Sequence, residues 1–237
     1  LPDTANVYRN EKIIGTLLQE LDTDLRNHLV LTTKLAVIQS AAALQVPFIH
    51  LLLIHWPGTA KMNVHDPRNR SNRLESYRAL IALQKEGLVR SIGVSNFTLP
   101  HLLDLASVFP DHPPAVLQIE LHPLYHDPAL LSYCQENRIT IQAYSSLGEG
   151  ALIKDDGPLP GLSQRASKAH ISPAQMLLAW ALHHGWAIIP KSVHPEKIVE
   201  NIQCLQIHLD DEDMTWLDEA QAREGRQKFC WDPSSVA

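Results

Sequence analysis

The sequence predicts one α/β domain over residues 1–237, built as a (β/α)8 barrel. Two observations favour this class. Six continuous apolar segments alternate with amphipathic helical patterns, and continuous apolar strands are typical of a parallel sheet covered on both faces. No phosphate-binding GxGxxG motif follows a strand, although a doubly wound nucleotide-binding sheet would carry one. Single helices between the strands therefore predict right-handed βαβ units repeated around a barrel.

The predicted strands are apolar runs that end in polar residues. They cover Leu29–Leu35, Phe48–Trp56, Ser91–Phe97, Ala115–Pro123, Thr140–Gly148 and Ala187–Ser192. Helical patterns cover Asn10–Leu21, Asn72 to Gly87, Pro100–Ser107, Pro128–Asn137, Ser172 to Gly185, Pro195 to Leu205 and a segment that opens at Asp210. Ser172 is predicted as an N-cap with Pro173 at the first helical position. The helix after Pro195 carries an apolar face of Ile198, Ile202 and Leu205, and the last dozen residues predict an irregular tail.

Composition excludes several classes of function. Lys and Arg number 20 against 26 Asp and Glu, so the net charge of −6 argues against a nucleic-acid binder and a polybasic membrane-surface protein. No apolar run reaches the roughly 18 residues of a membrane span, and no signal peptide is expected. Three cysteines without a CxxC motif predict reduced thiols in a cytoplasmic protein. The 13 His show no metal-binding spacing, so no metal site is predicted.

Polar residues at the strand ends indicate chemistry, because active sites of barrels are built on the face where the strands end. Asp3 and Tyr8 would join Lys34 and His55 on that face. A Lys ammonium lowers the pKa of a neighbouring Tyr, and a buried Lys needs a carboxylate partner. A neutral His donates to a carbonyl oxygen. Each residue alone is more often a cap or a solvated side chain, so the combination is what indicates proton delivery to a carbonyl.

Seven stretches in a fixed order resemble the aldo-keto reductase superfamily and span almost the whole chain. They are "DTANVYRNE", "LTTKL", "LLLIHWPG", "GLVRSIGVSNF", "LQIELHP", "QAYSSLG" and "IPKSVHPEKIVEN". The resemblance implies a barrel, an NADPH cofactor and the reduction of a small-molecule carbonyl, in a protein that is more often a monomer than an oligomer.

The resemblance also implies roles for single residues. The catalytic Asp, Tyr, Lys and His of the family fall on Asp3, Tyr8, Lys34 and His55. Residues that would bind the cofactor are Ser95, Asn96, Gln118, Tyr144, Ser145, Leu147, Lys191, Ser192, Lys197, Glu200 and Asn201. Trp56 matches a residue that lines the substrate pocket, and Trp231 in the tail is a second aromatic candidate, although a tail Trp can also simply pack on the barrel wall. Lys197 stands where the family usually has Arg, so NADPH is expected to be held less tightly.

Two departures from the family pattern leave a second hypothesis open. Only Leu1 and Pro2 precede the "DTA" motif, where the family has a full strand, a helix and a second strand, so the barrel is expected to be incomplete. The crossover Ala36–Pro47 has 12 residues, close to the minimum of about 10–12. The leading hypothesis is an NADPH-dependent reductase of aldehydes and ketones. The alternative is an impaired truncated isoform, or a non-enzymatic relative that at most binds nucleotide.

Overall fold

The computed structural model describes residues 3–5, 8–21, 29, 31–34 and 44–237. The chain divides into two compact units. The first comprises Leu1–Leu117, Gln135–Ile139 and Pro233–Ala237, and the second comprises Gln118–Cys134 and Thr140–Asp232. The sequence-based expectation of one domain stays a prediction, and the two units are described in turn.

Parallel strands form the centre of the first unit. Its strands are β1 (Thr32–Lys34), β2 (Ile49–Ile54) and β3 (Val89–Ser95), and its helices are α1 (Glu11–Glu20), α2 (Arg68–Lys85) and α3 (Leu99–Val108). Strand β2 pairs with β1 on one side and with β3 on the other, both in parallel. The amide of Ala115 donates to the carbonyl of Ile92 over 2.8 Å, which aligns the start of β4 (Val116–Glu120) beside β3.

The core of this unit follows from the apolar character of β2. Ile49, Leu52 and Leu53 have no exposed surface, as expected for a parallel strand with both faces covered. From helix α2, Tyr77 is also fully buried, and its hydroxyl donates to the carbonyl of His112 over 2.9 Å. That hydrogen bond satisfies the polar end of an otherwise apolar side chain.

The second unit continues the alternation of strands and helices. It contains the end of β4, β5 (Thr140–Tyr144) and β6 (Ala187–Ile188), and β6 pairs with β5 in parallel. Its helices are α4 (Pro128–Glu136), which ends in the first unit, α5 (Leu162–Lys168), α6 (Pro173–His183), α7 (Pro195–Ile202), α8 (Asp211–Asp218) and α9 (Ala220–Glu224). Short 3-10 turns lie at Gly148–Gly150 and Gln203–Gln206.

Helix α6 is the buried helix of the second unit and begins as the sequence predicts. The Ser172 hydroxyl accepts from the Gln175 amide over 3.2 Å, and the Gln175 side chain accepts from the Ser172 amide over 3.0 Å. This reciprocal capping box satisfies two N–H groups that the helix leaves without internal partners. Trp180 in the same helix is 1% exposed, and its indole N–H donates to Asp218 over 2.7 Å.

The predicted α/β class is confirmed: parallel strands alternate with helices in the pattern of an incomplete (β/α)8 barrel. All six predicted strands are present. Five are shorter than expected, whereas β3 has the expected seven residues but begins and ends two residues earlier. Helix α5 was not predicted. Residues 36–43 of the short crossover lie outside the described residues, as does residue 35 before it. Within the described part of the chain, no helix is long and apolar enough to cross a membrane.

The helix predicted from Pro195 to Leu205 ends at Ile202 as α7, and Leu205 lies in the 3-10 turn that follows. Ile198, Ile202 and Leu205, the predicted apolar face, are 53%, 64% and 65% exposed. The spacing of the apolar residues therefore predicted the position of the helix. It does not determine whether other parts of the protein cover the apolar face.

Replacing Gly93 by Ala should destabilise the protein by about 1–3 kcal/mol, because overpacking forces neighbours to move. A Cβ at this position in β3 would lie 2.5 Å from the carbonyl oxygen of Val116 and 2.7 Å from the Leu53 side chain. Urea denaturation would measure the loss. Ser91→Ala, in the same strand but half-buried, is the matched control and should stay within about 0.5 kcal/mol of wild type. Equal stability of the two variants would contradict the close packing of β3 and β4 at this point.

Candidate active site

Strand pairing fixes the first predicted site residues in the first unit. Asp3 forms an isolated parallel bridge with Thr32, and the Thr4 amide donates to the carbonyl of Thr32 over 3.0 Å. The "DTA" sequence therefore runs beside β1. Lys34 is the last residue of β1, but its side chain lies outside the described part of the structure. His55 directly follows β2, so the register of β1 and β2 brings the ends of both strands to one edge.

Two hydrogen bonds between side chains hold the loop that carries Tyr8. The Thr4 hydroxyl donates to Asn10 Oδ1 over 2.6 Å, which ties the two ends of the loop together. The Thr33 hydroxyl of β1 donates to Glu11 Oε1 over 2.6 Å, and Glu11 is 4% exposed. Hydrogen bonds to a buried carboxylate are strong because the charge is poorly solvated otherwise. The start of α1 is thereby fixed to the strand that precedes the site.

Tyr8 and His55 contact each other at this edge. Their ring centroids lie 5.9 Å apart with an interplanar angle of 89°, an edge-to-face arrangement. Tyr8 is 51% exposed, so its hydroxyl group can be reached from solvent. Burial of the remainder, and then the charge of Asp3, raise the pKa of Tyr8 above its ordinary value of 10.0. The expected lowering of this pKa by Lys34 stays a prediction, because that side chain is not described.

Ser95 and Asn96 continue the site at the end of β3. Both are buried, with 1% and 6% exposure. The Asn96 side-chain amide donates to the carbonyl of His55 over 2.9 Å and to the Ser95 hydroxyl over 3.1 Å. The φ angle of Asn96 is 63°, in the left-handed region that non-glycine residues rarely adopt. Backbone strain of this kind is concentrated at functional sites, because the surrounding structure must hold it in place.

In the second unit, the ends of β4 and β5 carry the next predicted residues. The Gln118 amide donates to Gln142 Oε1 over 2.6 Å, and both side chains are buried. Tyr144 is half-buried, and burial raises the pKa of its hydroxyl above the ordinary value. Ser145 follows with a φ of 49°, a second non-glycine residue in the left-handed region at a strand end. Leu147 is half-buried in the following turn.

The predicted nucleotide-binding residues lie on the surface of the second unit. Lys191 is exposed, and the half-buried Ser192 accepts a hydrogen bond from the His194 amide over 3.1 Å. Helix α7 begins three residues after Ser192, at Pro195, which has no N–H group. The amides of Lys197 and Ile198 donate to the carbonyl of His194, so the dipole of the helix, rather than a row of available N–H groups, would favour an anion here. The exposed Lys197 forms an ion pair with Glu200 over 2.7 Å, so its positive charge is partly neutralised.

The three remaining predicted residues have different environments. Asn201 is 8% exposed, at the end of helix α7. The carbonyl of Glu200, the residue before it, accepts from the Gln175 amide over 3.0 Å, which fixes this end of α7 to the start of α6. Trp56 lies in the first unit and is half-buried, whereas Trp231 lies in the second and is 67% exposed.

The sequence analysis gave no role to Glu120 at the end of β4. In the structure this residue is only 2% exposed, and its carboxylate accepts several hydrogen bonds. It accepts hydrogen bonds from the Phe229 amide over 2.6 Å, from the Cys230 amide over 3.1 Å and from the Lys228 ammonium. His122 Nε2 lies 3.3 Å away. Burial alone would raise the pKa of Glu120, but the hydrogen bonds from His122, Lys228 and Phe229 outweigh burial and lower it to about 2. No local pattern predicts a partner 108 residues further along the chain.

Most of the chain matches a known protein family. The model of the family described as "Aldo/keto reductase family" matches residues 1–222. The chain is 35% identical over 228 residues to "Glyoxal reductase" of Bacillus subtilis (strain 168), covering 91% of this chain and 76% of the relative. It is 34% identical over 226 residues to "Methylglyoxal reductase DkgA" of Escherichia coli (strain K12), covering 90% and 76%.

Solved structures have the same fold. An aldo-keto reductase from a Medee basin deep-sea metagenome library superimposes with a TM-score of 0.85 at 29% identity, covering 99% of this chain and 85% of the other. A mutant of Gox0644 in complex with NADPH gives a TM-score of 0.84 at 31% identity, covering 99% and 83%.

The network around Glu120 predicts a specific dependence of stability on pH. The pKa of Glu120 is lower in the folded protein, about 2, than the ordinary 4.5, so its ionisation stabilises the fold above pH 4.5 and that contribution is lost as pH falls toward 2. The cost of Glu120→Gln in free energy of unfolding should therefore be largest near pH 6 and shrink toward pH 2. Urea denaturation of both proteins across this range measures it; a cost independent of pH would contradict the argument.

Proposed function

Because the chain belongs to the Aldo/keto reductase family, a family of oxidoreductases, we propose that it reduces a small aldehyde or ketone to the alcohol with NADPH. One observation carries the proposal: the Tyr8 ring contacts His55 at the edge where parallel strands β1 and β2 end. Hydrogen bonds from Thr4 and Thr33 hold the loop that carries Tyr8 in place. A proton donor held rigidly beside a second polar group is what carbonyl reduction requires.

Tyr8 is the proposed proton donor. When bound, NADPH supplies the hydride that reaches the carbonyl carbon. The Tyr8 hydroxyl gives its proton to the carbonyl oxygen, and the phenolate then regains a proton from water. Burial and then the charge of Asp3 raise the pKa of Tyr8, which makes its hydroxyl a weaker acid, so proton donation requires a group that stabilises the phenolate. Lys34 is the proposed group that stabilises the phenolate as the proton leaves.

His55 and the carboxylate of Asp3 have supporting roles in this proposal. A neutral His55 donates a hydrogen bond to the carbonyl oxygen and so orients it toward Tyr8. Asp3 provides the counter-charge for Lys34. Trp56, next to His55, would contact the substrate, and Trp231 is proposed to do so from the C-terminal segment.

The residues at the ends of β3, β4 and β5 are proposed to hold the nicotinamide. Ser95, Asn96 and Gln118 would hydrogen-bond the carboxamide, and Tyr144 would stack on the ring. Ser145 and Leu147, in the turn after β5, would line the same part of the cofactor. Asn96 and Ser145 both adopt a left-handed backbone where their strands end, which turns the chain sharply at these positions.

The adenosine end of NADPH is proposed to bind at the start of helix α7. Lys191, Ser192 and the positive end of the α7 dipole suit a phosphate, which favours NADPH over NADH. Lys197 adds positive charge, but its pairing with Glu200 weakens that contribution. Its ammonium group also lacks the planar geometry with which an arginine guanidinium can donate two hydrogen bonds to one phosphate. Glu200 and Asn201 would contact the adenine.

Small α-oxoaldehydes are the proposed substrate class. The relatives from Bacillus subtilis and Escherichia coli are named glyoxal and methylglyoxal reductases, which supports methylglyoxal as the first compound to test. The protein is proposed to act as a monomer.

Tyr8→Phe should lower the turnover of methylglyoxal by roughly 10²–10⁴-fold, because the aromatic ring stays while the transferable proton is lost. NADPH consumption at 340 nm (a wavelength outside the protein's own absorption) measures the rate. Tyr133→Phe, a half-buried tyrosine on α4, is the matched control and should keep the wild-type rate. Turnover that survives in Tyr8→Phe would reject Tyr8 as the acid. Absence of turnover in folded wild type, with NADPH still bound, would favour the non-enzymatic alternative.

Lys191→Ala should raise the KM for NADPH roughly tenfold and leave the KM for NADH unchanged, since only NADPH carries the extra phosphate that the ammonium would contact. Initial rates at varied cofactor concentration measure both constants. The control is Lys168→Ala, an exposed lysine at the end of α5. An equal change for both cofactors would place Lys191 away from the 2′-phosphate.

A further inference from the structure

The proposed reaction gives no role to the segment Pro233–Ala237, which belongs to the first unit. Val236 is 7% exposed, although Ser235 before it and Ala237 after it are exposed. The Val236 amide donates to the carbonyl of Pro233 over 3.1 Å, which closes a turn just before the buried residue. One buried side chain in an otherwise exposed segment is typical of a peptide whose side chain occupies a pocket.

Three consecutive main-chain groups of this segment have partners elsewhere in the first unit. His101 Nε2 lies 3.1 Å from the carbonyl oxygen of Val236. The Ala237 amide donates to the carbonyl of Val64 over 2.8 Å, and the Ala237 carbonyl accepts from Arg73 Nη1 over 3.0 Å. Alternating donors and acceptors are how proteins bind the main chain of an extended peptide. We refer to Val64, Arg73 and His101 as the peptide site.

The residue that caps helix α3 fixes the direction of the His101 hydrogen bond. The Thr98 amide donates to His101 Nδ1 over 3.1 Å, so this nitrogen is an acceptor. Burial is the main cause that lowers the pKa of His101 below its ordinary value of 6.5, so the ring is neutral at neutral pH. A neutral imidazole has one N–H group, which is therefore on Nε2 and donates to the Val236 carbonyl. The peptide site thus presents a donor of fixed position.

Arg73, on helix α2, is the charged group of the peptide site and is 5% exposed. A buried guanidinium destabilises a protein unless other groups compensate for the water it has lost. Its Nη2 lies 3.7 Å from Asp104, which already binds Arg70 over 2.6 Å. The Nη1 group donates instead to the carbonyls of Ala237 and Pro57, over 3.0 and 3.1 Å. Ala237 therefore supplies part of the compensation that this buried charge requires.

The loop after β2 connects the peptide site to His55 and Trp56. The second carbonyl that accepts from the guanidinium is that of Pro57, the residue after Trp56. A Cβ on Gly58 would lie 3.3 Å from the Val236 side chain and 3.4 Å from the Trp56 indole, so Val236 packs on this loop close to the indole. Occupation of the peptide site and the conformation of the loop are thereby coupled.

We propose that the peptide site binds residues 236–237 as an internal ligand and, through Arg73, holds the loop that carries His55 in the conformation that turnover requires. The ligand class is a short extended peptide with a small β-branched side chain at the buried position. Arg73 is a positioning residue, because its contacts are with the main chain of the ligand and of the loop. The consequence for turnover rests on the proposed function, whereas the binding of the segment does not.

Hydrogen exchange in the wild-type protein tests whether the peptide site is occupied. The Ala237 amide should exchange at least about tenfold more slowly than the same amide in the free pentapeptide Pro-Ser-Ser-Val-Ala, because it donates to the Val64 carbonyl. NMR measures both rates. Exchange at the rate of the free peptide would overturn the proposal, whether or not the protein is active.

Val236→Lys tests the coupling to the loop. An ammonium in this pocket is costly to bury and is repelled by Arg73, so the segment should leave the peptide site. The kcat for methylglyoxal should fall at least about fivefold, while the KM for NADPH changes less than about twofold. Ser235→Lys, which adds the same charge at the exposed neighbouring residue, is the control and should keep the wild-type kcat.

Rescue by a peptide separates positioning from a general loss of structure. The N-acetylated pentapeptide should bind Val236→Lys, as measured by the fluorescence anisotropy of a labelled copy, and should restore its kcat. The same peptide with lysine as its fourth residue should do neither. Arg73→Met should lower kcat without responding to the peptide, whereas Arg70→Met, an exposed residue of the same helix, should keep the wild-type rate. Absence of binding and rescue up to about 5 mM, the range of effective concentration for a linked peptide, would overturn the proposal.

These measurements distinguish the peptide site from the reaction. Binding of the peptide to Val236→Lys with no turnover even in wild type would sustain the peptide site and reject the proposed reductase. Wild-type turnover in folded Val236→Lys would reject the coupling to the loop and leave the reductase in place. If Val236→Lys does not fold, the exchange rate of the Ala237 amide decides the occupation, and the comparison of Arg73→Met with Arg70→Met decides the coupling.

Discussion

Parallel main-chain pairing is the constraint on which the candidate site depends. Strand β2 is paired on both sides, and the register of each pair is fixed by main-chain hydrogen bonds. Because parallel strands point in one direction, their carboxyl ends lie at a common edge, where Lys34, His55 and Ser95 follow in succession. The β-bridge of Asp3 to Thr32 adds the "DTA" segment to the same arrangement in the first unit. Residues distant in sequence thereby become neighbours without any special local motif.

Within each unit, buried polar networks then hold chain segments in a defined conformation. Glu11 and Thr33 hold the start of α1 against β1, and Glu120 holds the C-terminal segment against the end of β4. Both networks place an acceptor carboxylate inside the protein, which is stabilising only when the donors are correctly placed. Such networks favour one loop conformation strongly over others, and proton transfer and substrate selection both require loops of fixed conformation.

Other candidate site residues have a strained backbone or are exposed to solvent. Asn96 and Ser145 adopt a left-handed backbone at strand ends, which costs free energy that the buried strands around them must supply. The start of α7 is exposed, so its charges act through water and each contributes less than a buried pair would. The proposed phosphate site would depend on Lys191, Ser192 and the dipole of α7 acting together, so its affinity would fall as salt is added.

The sequence by itself determined the order of the elements and the types of residue at the strand ends. Continuous apolar runs located all six strands, and Ser172 with Pro173 located the start of α6, because these signals are local and arise from hydrogen bonding and burial within a few residues. Tertiary structure alone decided which groups meet. The contact of Tyr8 with His55 and the anchoring of Lys228 by Glu120 depend on strand register and on chain segments far apart in sequence. The exposure of the apolar face of α7 was likewise decided by what packs around it, which periodicity cannot encode.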